Sequence, residues 1–251
     1  MKKIDGVKNH RTEFERSINL MQNLKESTRK RVLNEIIGFG QNTKKSIPNL
    51  DKFVEIMANF ETVQEKLLQY PGYSRNSNED MVKMDRYSQL EYIPSNFVKV
   101  FLAFAYLREQ GAPDFLRGID LGSALGTICQ IGSLFFKGFD GVEIDKVRYG
   151  IAAGDPYNRK NMKINLYYAN LLDVDLSVYQ IIYFYLGGRA DFFSRLQKKI
   201  ESEVVPGAFV VTPRKGVEKS CQHVLLVSSL KESNKLSYFD QIGDIDIFKR
   251  V

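Results

Sequence analysis

Tryptophan is absent from the 251 residues, and there are only two cysteines and two histidines. Cys129 and Cys221 are too far apart to frame a small disulfide-stapled fold. With His10 and His223 they form no cluster of metal-ligand spacing, so a metal centre is not expected. Two isolated thiols suit a reducing compartment. No run reaches the roughly 18 apolar residues of a membrane span, and the basic start "MKKIDGVKNH" is followed by no apolar signal core. The expectation is a cytoplasmic protein with no membrane partner. Low-complexity tracts and internal repeats are missing too, which excludes linker-like and solenoid architectures.

What is present is ordinary for one large globular fold: 43% hydrophobic and 26% charged residues, with a formal charge of +6. That excess suits an acidic partner such as nucleic acid, and is equally common in basic enzymes. The densest basic stretches, "KESTRKR" (Lys25–Arg31) and "NTKKS", fall in the N-terminal part. They read either as phosphate contacts or as a solvated helix face.

The hydrophobic period changes along the chain. Phe14, Ile18, Met21, Leu24, Val32 and Ile36 recur at near-helical spacing and predict a helix over 10–42, stopped by "GFGQN". A second helix opens at "IPNLDKF", with Asn49 or Asp51 as cap, and carries Phe53, Ile56, Met57, Phe60, Val63 and Leu67. The turn-rich "YPGYSRNSNED" then reads as a linker. A third helix is expected over 95–109, capped by Ser95. Beyond residue 115, short apolar runs alternate with helix-length segments: "LRGIDLG", "FDGVEID", "INLYYAN", "YQIIYFYL", "GAFVVTP", "HVLLVSS" and "DIDIFKRV". Seven strand candidates predict an α/β fold, a mostly parallel seven-stranded Rossmann-like sheet with helices on both faces. The polar connection "LKESNKLSYFDQIG" has no clear room for a covering helix, so the last strand is expected to be antiparallel. The organisation is a helical N-terminal extension or cap over 1–75 and a ligand-binding domain over 90–251.

The first strand ends on Asp120 and runs into "GSALG". In such sheets ligands bind where the strand order reverses, at the carboxyl ends of the strands. Gly122 and Gly126 remove side chains where a ligand lies against the backbone, and a helix starting near Thr127 points its amides there. The G-x-G-x-x-G fingerprint of nicotinamide enzymes is absent. An acid directly before the loop would repel a pyrophosphate and attract an ammonium or sulfonium. The second strand ends on Glu143, an acid able to accept hydrogen bonds from ribose hydroxyls, and Asn170 follows the third strand with an amide able to pair with an adenine edge.

These residues carry a resemblance. "DLGSALG", "GVEID", the "AN" after strand three and the terminal "DIFKR", in that order and spacing, resemble a class I, seven-stranded S-adenosylmethionine-dependent methyltransferase over about residues 92–251. The resemblance implies that Asp120, Gly122, Ser123, Ala124 and Gly126 surround the amino-acid part of the cofactor. Glu143 with Ile144 would take the ribose, and Asn170 with Leu171 the adenine. Two positions depart from the family pattern: Ala124 stands where a second glycine is usual, and Asn170 where aspartate is commoner.

The fourth strand, "QIIYFYLGGRAD", lacks the Asn/Asp-Pro-Pro-aromatic motif of nucleic-acid adenine and glutamine methyltransferases. Tyr183 and Tyr185 share one strand face and Phe184 takes the other. All three read as core, and Tyr185, nearest the strand end, reads also as the lining of an acceptor channel and the candidate catalytic residue. "LEYIPSNFVKVF" resembles the segment before strand one in seven-stranded lysine methyltransferases, which would bring Tyr92 and Ser95 to the methionine end of the cofactor. A macromolecular acceptor is expected. A protein lysine is preferred, with a nucleic acid held by the N-terminal helices, or a non-catalytic cofactor-binding module, as alternatives. An acid at the open end of a strand, such as Glu143, is expected to add little to stability.

Overall fold

The computed structural model describes residues 20–43, 47–70, 95–186, 190–213 and 221–251. The chain divides into two compact units that part after Thr62. The first contains α1 (Glu26–Thr43) and most of α2 (Leu50–Leu67), which crosses the division. The predicted helix over 10–42 is interrupted. Asn23 N–H donates to the Leu20 carbonyl and Leu24 N–H to that of Met21, closing a turn before α1 starts. The amide of Lys25 is then taken by the Glu61 carboxylate at 3.1 Å, so it is withdrawn from the helix ladder. Residues 10–19 and the linker lie outside the described residues.

The second unit is built on a seven-stranded sheet of order β3-β2-β1-β4-β5-β7-β6. The strands are β1 (Arg117–Leu121), β2 (Gly138–Glu143), β3 (Leu166–Tyr168), β4 (Ile181–Phe184), β5 (Phe209–Pro213), β6 (Leu236–Ile242) and β7 (Ile245–Arg250). The first five strands run parallel to one another, and β7 is antiparallel to both β5 and β6. The expected α/β architecture, with its antiparallel last strand, is therefore observed. One element differs. "HVLLVSS", expected as a strand, lies in a helix, Cys221–Glu232, and the sixth strand occupies "LSYFDQI" in the stretch read as a polar connection. β6 is an edge strand whose only fully buried residue is Leu236, so it carries no apolar alternation to read.

Helices cover both faces, as period-2 alternation demands. Ile119, Leu121, Ile182, Phe184, Val210 and Phe248 face a core shared with α7 (Ala190–Glu203) and α8 (Cys221–Glu232). On the other face Tyr183 and Phe139 meet Phe104 of α3 (Phe97–Glu109) at ring distances of 6.4 and 5.2 Å. α4 (Thr127–Ser133) packs beside α3 over β1 and β2. Two glycines make this face possible: a Cβ at Gly118 or Gly132 would fall 2.2 or 2.1 Å from the Phe139 ring. The ring occupies the space those side chains would need. The chain continues through α5 (Lys146–Gly154) and α6 (Pro156–Lys160) to β3. Among the described residues, no helix is long and apolar enough to cross a membrane.

Candidate ligand-binding site

The strand order reverses between β1 and β4, and the candidate site lies at their carboxyl ends. There β1 runs into a loop with three left-handed residues at alternate positions: Gly122 (φ 93), Ala124 (φ 46) and Gly126 (φ 77). This conformation explains the spacing of small residues in "GSALG". Glycine adopts it freely, whereas Ala124 does so at a cost of about 1–2 kcal/mol. The loop is pinned to β2: Gly122 and Ser123 both donate to the Val142 carbonyl, at 2.9 and 2.8 Å. Below it, Asn158 Nδ2 reaches the carbonyl of Leu125 at 3.4 Å and leaves no room for a side chain at Gly126.

A cavity of about 30 Å³ opens above the loop. Its walls are Asp120, Gly122, Ser123, Ala124, Leu125, Thr127 and Ile128 from the loop side, with Ser95, Phe97, Tyr183 and Tyr185 opposite. Six of the predicted residues, Ser95, Asp120, Gly122, Ser123, Ala124 and Tyr185, thus meet around one space. As drawn it accommodates a water, not a nucleoside. What approaches the Gly122 backbone is Leu186, whose Cδ2 lies 2.4 Å from where a Cβ would stand.

Asp120 dominates the electrostatics. It is buried, and among the described residues its carboxylate accepts no hydrogen bond and makes no ion pair. Burial pushes its pKa well above the usual carboxylate range, and repulsion from Glu143 pushes it further. An ionised acid held in this way is stabilised by a cation entering the cavity. Tyr183 pairs in register with Asp120 across β1 and β4, and its hydroxyl donates to Ser95 Oγ at 2.7 Å. Burial raises the Tyr183 pKa far above its ordinary value, so the phenol stays protonated near neutral pH and keeps its proton for the bond to Ser95. The cap of α3 expected from Ser95 is not formed. Asn96 caps the helix instead, its side chain accepting from Lys99 N, and Ser95 is left to form a cavity wall.

Glu143 has a role the sequence did not disclose. It is buried at the end of β2, and its two oxygens accept the backbone amides of Ala124 at 2.8 Å and Asp145 at 2.7 Å. The carboxylate therefore holds the glycine loop in shape, and burial raises its pKa despite these amides and nearby Arg148. Each oxygen retains a lone pair for a ligand hydroxyl. Asp145 caps α5, accepting from Arg148 N at 2.8 Å. Asn170 caps the turn Leu171–Asp173 through its carbonyl oxygen, at 3.0 Å from Leu172 N, so its amide N–H is what it can offer a ligand. Ile144 is half-buried just past β2, and Leu171 belongs to the apolar core on the α7 face. Tyr92 lies outside the described residues. Among those residues, no group of three or more His, Cys, Asp or Glu could hold a metal ion.

No protein-family model matches the sequence, and no curated protein matches it. Solved structures similar to this chain include an RNA methyltransferase from Salinibacter ruber in complex with S-adenosyl-L-homocysteine. It is 16% identical, with a TM-score of 0.43, over 63% of this chain and 92% of that one. Another is a putative methyltransferase from Streptococcus mutans in complex with the same product, 12% identical with a TM-score of 0.49, over 63% and 99% of the two chains. A third, an N-methyltransferase from Bradyrhizobium japonicum, is 14% identical with a TM-score of 0.45, over 60% and 93%.

Proposed function

We propose that this chain is a methyltransferase that uses S-adenosylmethionine and acts on a macromolecular acceptor. The observation that carries the reading is Asp120, a buried and unpartnered carboxylate beside a left-handed loop at the switch point of the sheet. It calls for a cationic ligand lying against backbone, which fits the ammonium and sulfonium of this cofactor and not a pyrophosphate. Asp120, with Gly122, Ser123 and Ala124, would hold the amino-acid part. Glu143 with Ile144 would meet the ribose hydroxyls, and Asn170 with Leu171 the base. When bound, the cofactor supplies a methyl group already activated for in-line displacement.

The chain's own contribution is alignment and exclusion of water. Tyr185, which lines the cavity just past β4, would orient the acceptor atom. Tyr183 fixes Ser95 on the same wall. Leu186 must move from Gly122 for a ligand the size of the cofactor to enter. A lysine acceptor, expected from the resemblance, draws no specific support from these groups, which would align any nitrogen or oxygen nucleophile.

The test is thermal. S-adenosylhomocysteine at a hundred times its Kd stabilises the native state by about 2.7 kcal/mol and raises Tm, whereas NAD does not. A shift with NAD alone overturns the reading. Radiolabelled S-adenosylmethionine with a cell extract, followed by protease or nuclease, then names the acceptor class. Binding without label transfer would favour a non-catalytic module.

A further inference from the structure

The far edge of the sheet carries a surface that the cofactor site does not use. β3 is the edge strand, and its consecutive residues Tyr167 and Tyr168 are 42% and 55% exposed. Facing opposite sides of the strand, they pair in register with Val142 and Glu143 of β2. Tyr168 is backed by the Tyr149 ring at a centroid distance of 5.5 Å, which steadies it and leaves its other side outward. At the amino-terminal starts of β1, β2 and β3, three neighbouring strands about 4.8 Å apart, exposed cations gather. Arg117 opens β1, Lys137 precedes β2, and Lys163 is tied to it by the bond from Phe139 N to the Lys163 carbonyl at 2.8 Å. Arg159 and Lys160 add two more from the last turn of α6. Arg117 is paired with the buried carboxylate of Asp140 at 2.8 Å, so among the described residues four of the five are left to face solvent as unpaired charges, and against them stand Glu109 and Asp114, exposed at the end of α3 and in the following turn.

We propose that this edge binds single-stranded nucleic acid. Its phosphates would meet the cations at the strand starts, and its bases would stack on Tyr167 and Tyr168. Charge complementarity selects the polyanion, and two exposed rings on one short strand select unpaired bases, whose faces are open for stacking. Direction adds a reason. β3 ends at Tyr168, in register with Glu143, so a strand entering over the lysines is led along the sheet edge to the end where the candidate site lies. What the strand is for rests on the methyl-transfer reading; its binding does not.

Fluorescence anisotropy with a labelled single-stranded RNA of mixed sequence tests this in the full chain. Binding should weaken with salt at a log–log slope of about −2 or steeper, as three or more phosphate contacts require. The K137E/K160E/K163E variant should lose at least about tenfold in affinity and flatten that slope. The Y167S/Y168S variant should lose about tenfold while keeping the slope. All three residues of the first variant, and both of the second, are on the surface, and the melting shift with S-adenosylhomocysteine checks that each variant retains its fold and site. Wild-type affinity in either variant, or no RNA binding at all, overturns the proposal. So does stronger binding to phosphatidylserine vesicles, through exposed Phe115 and Met162, or to polyglutamate. Expected RNA results without any melting shift in the wild type would overturn the methyl-transfer reading and leave the surface standing.

Discussion

Asp120 and Glu143 are both buried acids at strand ends, and they do opposite things. Asp120 is an ionisable group whose pKa is raised on folding, so its favourable contribution exists at low pH and is lost as pH rises through the raised value. Holding the ionised form in the folded protein therefore costs free energy, which a cation beside the carboxylate would offset. Asp120→Asn should raise the Tm of the free protein and weaken binding of S-adenosylhomocysteine by at least tenfold, about 1.4 kcal/mol. In the wild type, affinity should fall as pH drops through the raised pKa, because the protonated acid no longer attracts an ammonium. Calorimetric titration across pH reads both, and a pH-independent affinity would contradict this role. Glu143 instead accepts two backbone amides, each such bond to a charged group being worth roughly 1.5–3 kcal/mol. Glu143→Ala should thus lower the stability of the free protein by about 3 kcal/mol, contrary to the expectation that a strand-end acid adds little. Asp145→Ala loses only a helix cap, about 1 kcal/mol. Urea melts of the two variants decide it, and equal losses would show that the loop does not depend on Glu143.

Elements differ in how far the sequence displays them. β1, β2, β4 and β5 are almost wholly buried; β4 and β5 read as apolar runs, and β1 and β2 as short apolar stretches that end on the acids Asp120 and Glu143, so all four were legible. The run "HVLLVSS" has the same composition, and a short apolar run does not distinguish a buried strand from a buried helix face. Only its 12-residue helix, closing on the core through Leu226, Val227 and Leu230, resolves it. Asp120 and the loop were visible because backbone conformation leaves a mark in residue type. Leu186 over Gly122, and the inward turn of Glu143, are tertiary contacts and leave none. The same is true of Gly118, whose reason lies in Phe139, twenty-one residues on. Gly118→Ala places a methyl group inside the Phe139 ring contact, an overpacking worth roughly 1–3 kcal/mol of stability. Phe139→Ala alone is costly, yet in its background Gly118→Ala should cost much less. A double-mutant cycle measured by urea unfolding should return a coupling of at least about 1 kcal/mol, and simple additivity would mean that the ring is not what Gly118 accommodates.

At the scale of the whole chain, the cavity wall among the described residues runs from Ser95 to Tyr185, inside the second unit. The first unit has buried residues of its own, Met21, Leu24, Val32, Ile36, Phe53 and Ile56 among them. Binding of the cofactor and recognition of the acceptor are expected to be separable by truncation. The chain is best cut after residue 70, because a cut at the division after Thr62 would leave only Val63–Leu67 of α2, too short to stay helical alone. A protein lacking residues 1–70 should keep the melting shift with S-adenosylhomocysteine within about twofold of the full-length affinity, a difference under about 0.5 kcal/mol. Its transfer of radiolabel to the acceptor should fall, since the helical extension or cap expected over residues 1–75 is largely gone. If the fragment cannot fold, the helices belong to the core of the sheet domain. If it folds and transfers methyl groups at the full rate, recognition of the acceptor resides wholly in the second unit.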